Sequence, residues 1–164
     1  MPIRNPKELF VFMLSDVRQG AERTTAIFQE LSQAAQHPDI KEALEARVFL
    51  SGKINETLDK CFEIIGEKPM KLSGRLQELW VEDFKNELAE IQSPEAKKLF
   101  VMAKAIHLIE MRIGEYEALI AAADVTGHFA VGVLLESVLA QKRAFIDRTR
   151  RLIRAIYEVR RAAA

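Results

Sequence analysis

Apolar residues recur at steps of three and four along almost the whole chain, and this spacing constrains the fold more than any other feature. The segment from residue 40 to 65 shows it best, because one face of a helical wheel collects Ile40, Leu44, Leu50, Ser51, Ile54, Leu58, Cys61 and Ile65. The acidic residues of this segment cluster on the opposite face, and Arg47 is the one charged residue in the apolar stripe. The segment is therefore predicted to be an amphipathic helix that turns no carboxylate towards its neighbours.

Short breaks divide the chain into four long helices and one short helix. Proline or glycine stands at each break, at Pro6, Pro38, Gly66, Pro69, Pro94 and Gly127. We predict a first hairpin over residues 6–65, a connector over 66–93 whose short helix is capped by Ser73, and a second hairpin over 94–160. Neither hairpin can bury its apolar stripe alone. The chain is thus predicted to form one all-α domain over 1–164, a ferritin-like four-helix bundle with the short helix in its long crossover.

The helical pattern makes three further predictions. Gly20 lies inside the first helix, where it costs roughly 1 kcal/mol relative to alanine, so we expect a neighbouring backbone to come close. One side of the short helix is predicted to carry Leu76, Leu79, Trp80, Phe84, Leu88 and Ile91. The inward face of the last helix is predicted to carry Val131, Leu134, Val138, Gln141, Phe145, Leu152 and Ile156.

Composition excludes several function classes. Lysine and arginine total 24 among the 164 residues, and aspartate and glutamate also total 24, so no net charge draws the chain towards nucleic acid. The lone cysteine, Cys61, supports neither an intrachain disulfide nor a cysteine-rich metal site. Neither a membrane-spanning run nor a signal peptide is recognisable. We expect a cytoplasmic protein without a membrane partner.

Five sequence strings carry a family resemblance. They are LSDVRQGAERT, HPDIKEALEA, LDKCFEIIGEKP, IGEYEALI with the following DVTG, and LLESVLAQKRA. With these strings the chain resembles the YciE/YciF family of ferritin-like bacterial proteins over nearly its whole length. The resemblance implies a fold like that of di-iron carboxylate proteins, a homodimer and a link to bacterial stress responses, but no established reaction.

The residues at the family's metal region depart from that pattern. The equivalent positions hold Ala21, Arg47, Leu50, Ile54, Ile109, Arg112 and Gln141. A di-iron site in a bundle needs about four inward carboxylates and two histidines, commonly as Glu-x-x-His, and the chain contains no Glu-x-x-His. The weak alternative ligands are Asp16, Glu22, His107 and Glu110. We therefore predict no cofactor, with iron as the alternative.

Two arginines fall where the family's ligands lie. A buried guanidinium is costly unless it is paired, so Arg47 and Arg112 either place fixed positive charge in the core or extend their heads to a bundle end or groove. Both alternatives stay open for Arg47, whereas we expect Arg112 to reach solvent. If they are buried, Asp16 or Gln141 is the expected partner.

Three functions are compatible with these features. The first is a non-catalytic, stress-associated bundle protein that has lost its di-iron site and pairs as a homodimer through Phe49, Trp80 and Phe84. The second is an iron-binding oxidase or peroxidase-like protein with a reduced or relocated site. The third is an adaptor that uses a basic C-terminal run, although we expect this run to be a solvated helix end and nucleic-acid binding to be disfavoured. The run contains Arg148, Arg150, Arg151, Arg154, Arg160 and Arg161.

Overall fold

The computed structural model describes residues 2–161, and side chains as far as residue 158. Its helices are α1 (Pro6–Ala34), α2 (Pro38–Ile65), α3 (Arg75–Glu90), α4 (Pro94–Thr126) and α5 (Phe129–Arg161). No strand occurs within residues 2–161. The prediction of an all-α bundle, built from two helical hairpins with a short helix in the crossover, is confirmed.

Two helix starts, those of α1 and α4, have a side-chain cap. Asn5 Oδ1 accepts a hydrogen bond from the Glu8 amide at 2.9 Å, and Ser93 Oγ accepts one from the Ala96 amide at 3.3 Å. Ser73 does not cap α3, contrary to the prediction. The N-cap is Gly74, with a left-handed φ of 58°, and its carbonyl accepts a hydrogen bond from Arg23 of α1.

The four long helices form a ring in the order α1, α2, α5, α4, and adjacent helices run antiparallel. Two hydrogen bonds show the antiparallel direction of α4 and α5: Arg143 of α5 bonds to Glu117 of α4, while Arg150 bonds to the earlier residue Glu110. The helix α3 packs against both α1 and α4. It runs parallel to α1, as the ion pairs Arg23–Glu78 and Glu30–Lys85 show.

The crossover is fastened to α1 by polar contacts and to α4 by aromatic stacking. The side chain of Gln19 bonds both the amide and the carbonyl of Leu72, each at 2.8 Å. Phe84 is buried between Trp80 and Phe100, with ring centroids 5.6 and 5.8 Å away. The predicted stripe of α3 is wrong at Leu76 and Leu79, which are exposed because this short helix touches the bundle along a narrow line.

The buried face of α5 differs from the predicted one. Its core positions are Val131, Leu135, Val138, Lys142, Phe145 and Thr149, at alternating steps of four and three. Gln141 was predicted to face inwards, but it is exposed, because one residue turns a helix by 100° and the stripe passes through Lys142. This correction places a lysine in the centre of the bundle.

Within the described chain, no helix is both long enough and apolar enough to cross a membrane.

Candidate functional site

Three basic side chains from three helices are buried in the interior of the bundle. Arg47 of α2 is 1% exposed, Arg112 of α4 is 0% exposed and Lys142 of α5 is 1% exposed. We call these three residues the core cation cluster. Tyr116 of α4, also fully buried, lies among them. Arg47 and Arg112 are two of the positions that the family resemblance assigns to the metal region, and Lys142 directly follows a third, Gln141.

Arg112 is held by α1 and by its own helix. Its Nη2 donates a hydrogen bond to the Val17 carbonyl at 2.6 Å, and its Nη1 forms an ion pair with Glu115. The guanidinium packs against Gly20, where an added Cβ would lie 2.8 Å from Arg112 Cζ. Two predictions are therefore wrong. Arg112 does not reach solvent, and the space beside Gly20 is occupied by the Arg112 guanidinium rather than by a neighbouring backbone. Only glycine leaves this space open.

Arg47 lies between two aromatic rings. Its Cζ is 5.7 Å from the Phe28 ring centroid and 5.4 Å from that of Phe145. None of its three guanidinium nitrogens has a hydrogen-bond partner among the described residues. Burial lowers the pKa of Arg47 to about 10, the Tyr116 side chain opposes this shift, and the nearby charge of Arg148 adds to it. Arg47 thus remains a cation at neutral pH.

Lys142 completes the cluster and was missed as a site residue. Its Nζ lies 4.7 Å from the centroid of the Tyr116 ring. Burial, and then the charges of Arg47 and Arg112, lower the pKa of Lys142 well below its ordinary value. Burial also raises the pKa of Tyr116, so its hydroxyl is neutral and supplies no counter-charge. A step of four from Val138 leads to Lys142, but a step of three leads to Gln141, the residue that the prediction chose.

Two carboxylates, those of Glu115 and Asp16, approach the cluster on the α1–α4 side. Burial raises the pKa of Glu115, the Arg112 charge opposes this, and the charge of half-buried Asp16 adds to it. The expected partners of Arg112 were Asp16 or Gln141, but the observed ones are Glu115 and the Val17 carbonyl. A single ion pair therefore offsets one of the two buried arginines, Arg112, and leaves Arg47 without one among the described residues.

The predicted alternative metal ligands are not brought together. Glu22 is exposed and pairs with Arg18 at 3.1 Å, while exposed Glu110 pairs with Arg150 at 3.1 Å. His107 is exposed, and Asp16 is half-buried on another helix. Nowhere in residues 2–161 do three or more His, Cys, Asp or Glu side chains form a group that could hold a metal. This donor set does not fit a di-iron centre.

Apolar side chains fill the other positions of the predicted metal region. Ala21, Ile54 and Ile109 are buried, and Leu50 is half-buried. Cys61 is also buried, and burial raises the pKa of its thiol to about 11, so it is neither a thiolate ligand nor a nucleophile at neutral pH.

The predicted interface residues separate into two kinds. Phe49 is 71% exposed on α2, whereas Phe84 is buried and Trp80 is half-buried against it. In the basic run, Arg148, Arg150, Arg151 and Arg154 are exposed. The side chains of Arg160 and Arg161 lie outside the described residues.

Residues 5–162 match the family described as Domain of unknown function (DUF892). The chain belongs to the DUF892 family. No curated protein matches its sequence.

Solved structures similar to this DUF892 chain include one stress protein. The Escherichia coli stress protein YciF is 20% identical, with 94% of this chain and 99% of that chain covered and a TM-score of 0.86. YcfI from Rhodopseudomonas palustris, which has been proposed to be a structural protein, is 21% identical over 90% and 94% of the two chains, with a TM-score of 0.85. A protein from Xanthomonas campestris is 17% identical over 96% and 99%, with a TM-score of 0.70. Together with the family match, they confirm the predicted YciF-like family.

Proposed function

We propose that the protein is a non-catalytic, stress-associated bundle protein in which fixed cations have replaced the di-iron site of ferritin-like relatives. The carrying observation is the core cation cluster, whose three members are almost completely buried at or next to positions of the expected metal region. The association with stress rests on the relatives, since YciF is a stress protein and YcfI is proposed to be structural. A cytoplasmic location belongs to the same proposal.

Electrostatics supports the loss of the metal site. At an effective dielectric constant of about 20, a fixed unit charge about 6 Å away raises the free energy of a divalent cation by about 5 kcal/mol. Glu115 offsets Arg112, but Arg47 has no acceptor within the described residues. A ferrous ion at the centre would therefore meet repulsion where a di-iron protein supplies carboxylates.

Elemental analysis tests this proposal. Protein purified from iron-supplemented cells should contain clearly substoichiometric iron. The iron content should not fall further in Asp16→Ala, Glu22→Ala or Glu115→Ala, nor in Glu56→Ala, a matched control whose carboxylate pairs with Lys53 on the surface. Near-stoichiometric iron that is lost in the first three variants and kept in the control would refute the proposal.

The second candidate, an iron protein with fewer metal ligands than a di-iron site, is favoured by one electrostatic interaction. Asp16 and Glu115 are the two carboxylates close enough to influence one another at the edge of the core. Arg112 already engages Glu115, so iron would have to displace a buried guanidinium. The Asp16 and Glu115 variants of the same analysis distinguish this candidate from surface-bound iron.

The assembly we propose is a homodimer that buries Phe49. This side chain projects from α2 beside half-buried Val48, and Gly52 leaves open space one turn along. Closed two-fold pairing is the commonest way to cover such a face, and losing a central aromatic anchor costs about 2 kcal/mol of binding energy. The proposed interface does not include Phe84, because its side chain is buried within the chain.

Light scattering tests the dimer. The wild type should have about twice the chain mass at micromolar concentration, and Phe49→Glu should lower that mass with unchanged helicity. Phe129→Glu is the matched control, because Phe129 is similarly exposed (66%) but lies at the start of α5. A monomeric wild type would refute the dimer. A dimer that survives Phe49→Glu would refute the proposed face.

A further inference from the structure

A surface cavity of about 410 Å³ lies between α2 and α5 and borders Arg47. Its wall is largely apolar and comprises Ala43, Ala46, Leu50, Phe145 and Leu152. Arg148 also lines it and adds a second positive charge. This size is in the range of cavities that hold small organic ligands.

Arg47 borders this cavity as an uncompensated cation. The five N–H groups of its guanidinium find no acceptor in the described part of the chain, and the nearest ring hydroxyl, that of Tyr116, is neutral. Buried polar groups without partners are rare in folded proteins, and an unaccounted ion or ligand is one of the few explanations. Arg47 thus has hydrogen-bond donors and a positive charge that an acceptor from outside the chain would satisfy.

We propose that the cavity between α2 and α5 binds a small organic monocarboxylate, whose carboxylate pairs with Arg47 and whose apolar body lies along the cavity wall. A planar guanidinium matches a carboxylate through two parallel hydrogen bonds. The inference goes beyond the proposed function and does not depend on whether the protein binds iron.

The acids of the cavity select for a single negative charge. Asp39 and Glu42 line it as well, about 12 and 7.5 Å from Arg47 along the axis of α2, as the helical rise per residue gives. Their carboxylates repel a second anionic group at that end. Dicarboxylates and phosphorylated ligands are therefore disfavoured.

Binding includes a movement of Arg47. Its guanidinium is covered by the Phe28 and Phe145 rings, so the side chain must turn towards the cavity to meet the ligand. Several rotatable bonds permit this, and the new ion pair replaces the contacts with the rings. The Nε–H resonance of Arg47 should therefore shift on ligand binding.

Calorimetric titration with hexanoate at neutral pH and low salt tests the proposal, with hexanamide as the uncharged match. Wild-type protein should bind hexanoate saturably and hexanamide not at all. Arg47→Met should weaken binding by about 30-fold or more, and Arg148→Met by about two- to fivefold. Arg143→Met is the control, because Arg143 is an exposed residue of α5 that pairs with Glu117 outside the cavity, and it should leave binding unchanged.

A second variant tests the proposal without changing residue 47, so its result does not depend on repacking there. Ala46 is exposed and lines the cavity, so Ala46→Glu should fold normally, place a carboxylate inside it and abolish hexanoate binding. No saturable binding to wild type, equal binding of hexanamide, or full binding to Arg47→Met or Ala46→Glu would each overturn the proposal. Chloride binding as tightly as hexanoate would also overturn it, because an inorganic ion makes no use of the apolar wall.

Discussion

Arg112 and Arg47 are both buried in the bundle, yet the α1–α4 side accommodates its arginine and the α2–α5 side does not. Arg112 has a carbonyl acceptor, the carboxylate of Glu115 and the space left by Gly20. Arg47 has two aromatic faces and no acceptor among the described residues. The comparison shows that burial alone does not give a charged residue its role. Arg112 joins α1 and α4, whereas Arg47 carries a charge without a counter-charge among the described residues.

Replacing Arg112 should have the largest effect. Arg112→Met removes the partner of Glu115 and leaves a gap beside Gly20. Breaking a buried pair costs about 3–5 kcal/mol, and we expect the lower end, about 3 kcal/mol of unfolding free energy, because the Glu115 side chain is 23% exposed. Urea denaturation measures the loss. A loss no larger than that of a surface pair would remove the distinction between the two sides.

Gly20→Ala should destabilise the protein by about 1–3 kcal/mol, because the new methyl group would overlap the Arg112 guanidinium. Combining it with Arg112→Met should relieve the overlap, so the two changes should be strongly non-additive in a double-mutant cycle. Gly114→Ala, at an exposed helical glycine with nothing near its Cβ position, is the control and should not destabilise. Additive losses would contradict the contact.

Lys142 predicts a pH dependence of stability. The unfolded chain keeps this proton up to about pH 10.5, whereas the folded protein, with a lowered pKa, releases it earlier. Between the two pKa values the unfolded state binds more protons, so the unfolding free energy rises with pH, by at most about 1.4 kcal/mol per unit.

Chemical denaturation between about pH 7 and about pH 8.5 measures this rise, which Lys142→Met should remove. The range ends below the ordinary pKa of Cys61, 9.0, because the raised pKa values of Cys61 and Tyr116 give the opposite slope above it. Equal slopes in the two proteins would show that Lys142 keeps its proton in the folded state.

The smallest effect is expected at the surface. Arg143→Met breaks an exposed ion pair with Glu117, which contributes about 0–1 kcal/mol. The same urea experiment should therefore find almost no change. A loss comparable to that of Arg112→Met would show that the stability lost on breaking an ion pair does not depend on its burial.

The sequence was sufficient for the helices and insufficient for the centre of the bundle. Proline and glycine at the breaks determine the helix ends, so bounds such as Pro6, Pro38 and Ile65 could be predicted. Successive residues of a helix point 100° apart, so near the edge of an apolar stripe an error of one residue reverses which side chain faces inwards. The prediction chose Gln141 there instead of Lys142.

The burial of Arg112 depends on a contact between helices. Gly20 and Arg112 are 92 positions apart in the sequence, and the spacing within one helix carries no information about the space that a glycine on another helix leaves open. Arg47, in contrast, could be identified as a candidate core charge because it interrupts an otherwise apolar stripe, but the sequence left open whether its guanidinium is buried or extends to solvent.

The unfolding free energy of Arg47→Met, compared with wild type in buffer without organic acids, tests the central claim most directly. If Arg47 is a buried cation without a counter-charge, an apolar side chain of similar length should leave stability unchanged or increase it by about 1–4 kcal/mol. A loss of about 3 kcal/mol, like that expected for Arg112→Met, would contradict the claim, because it would mean that Arg47 has a strong partner in the folded protein.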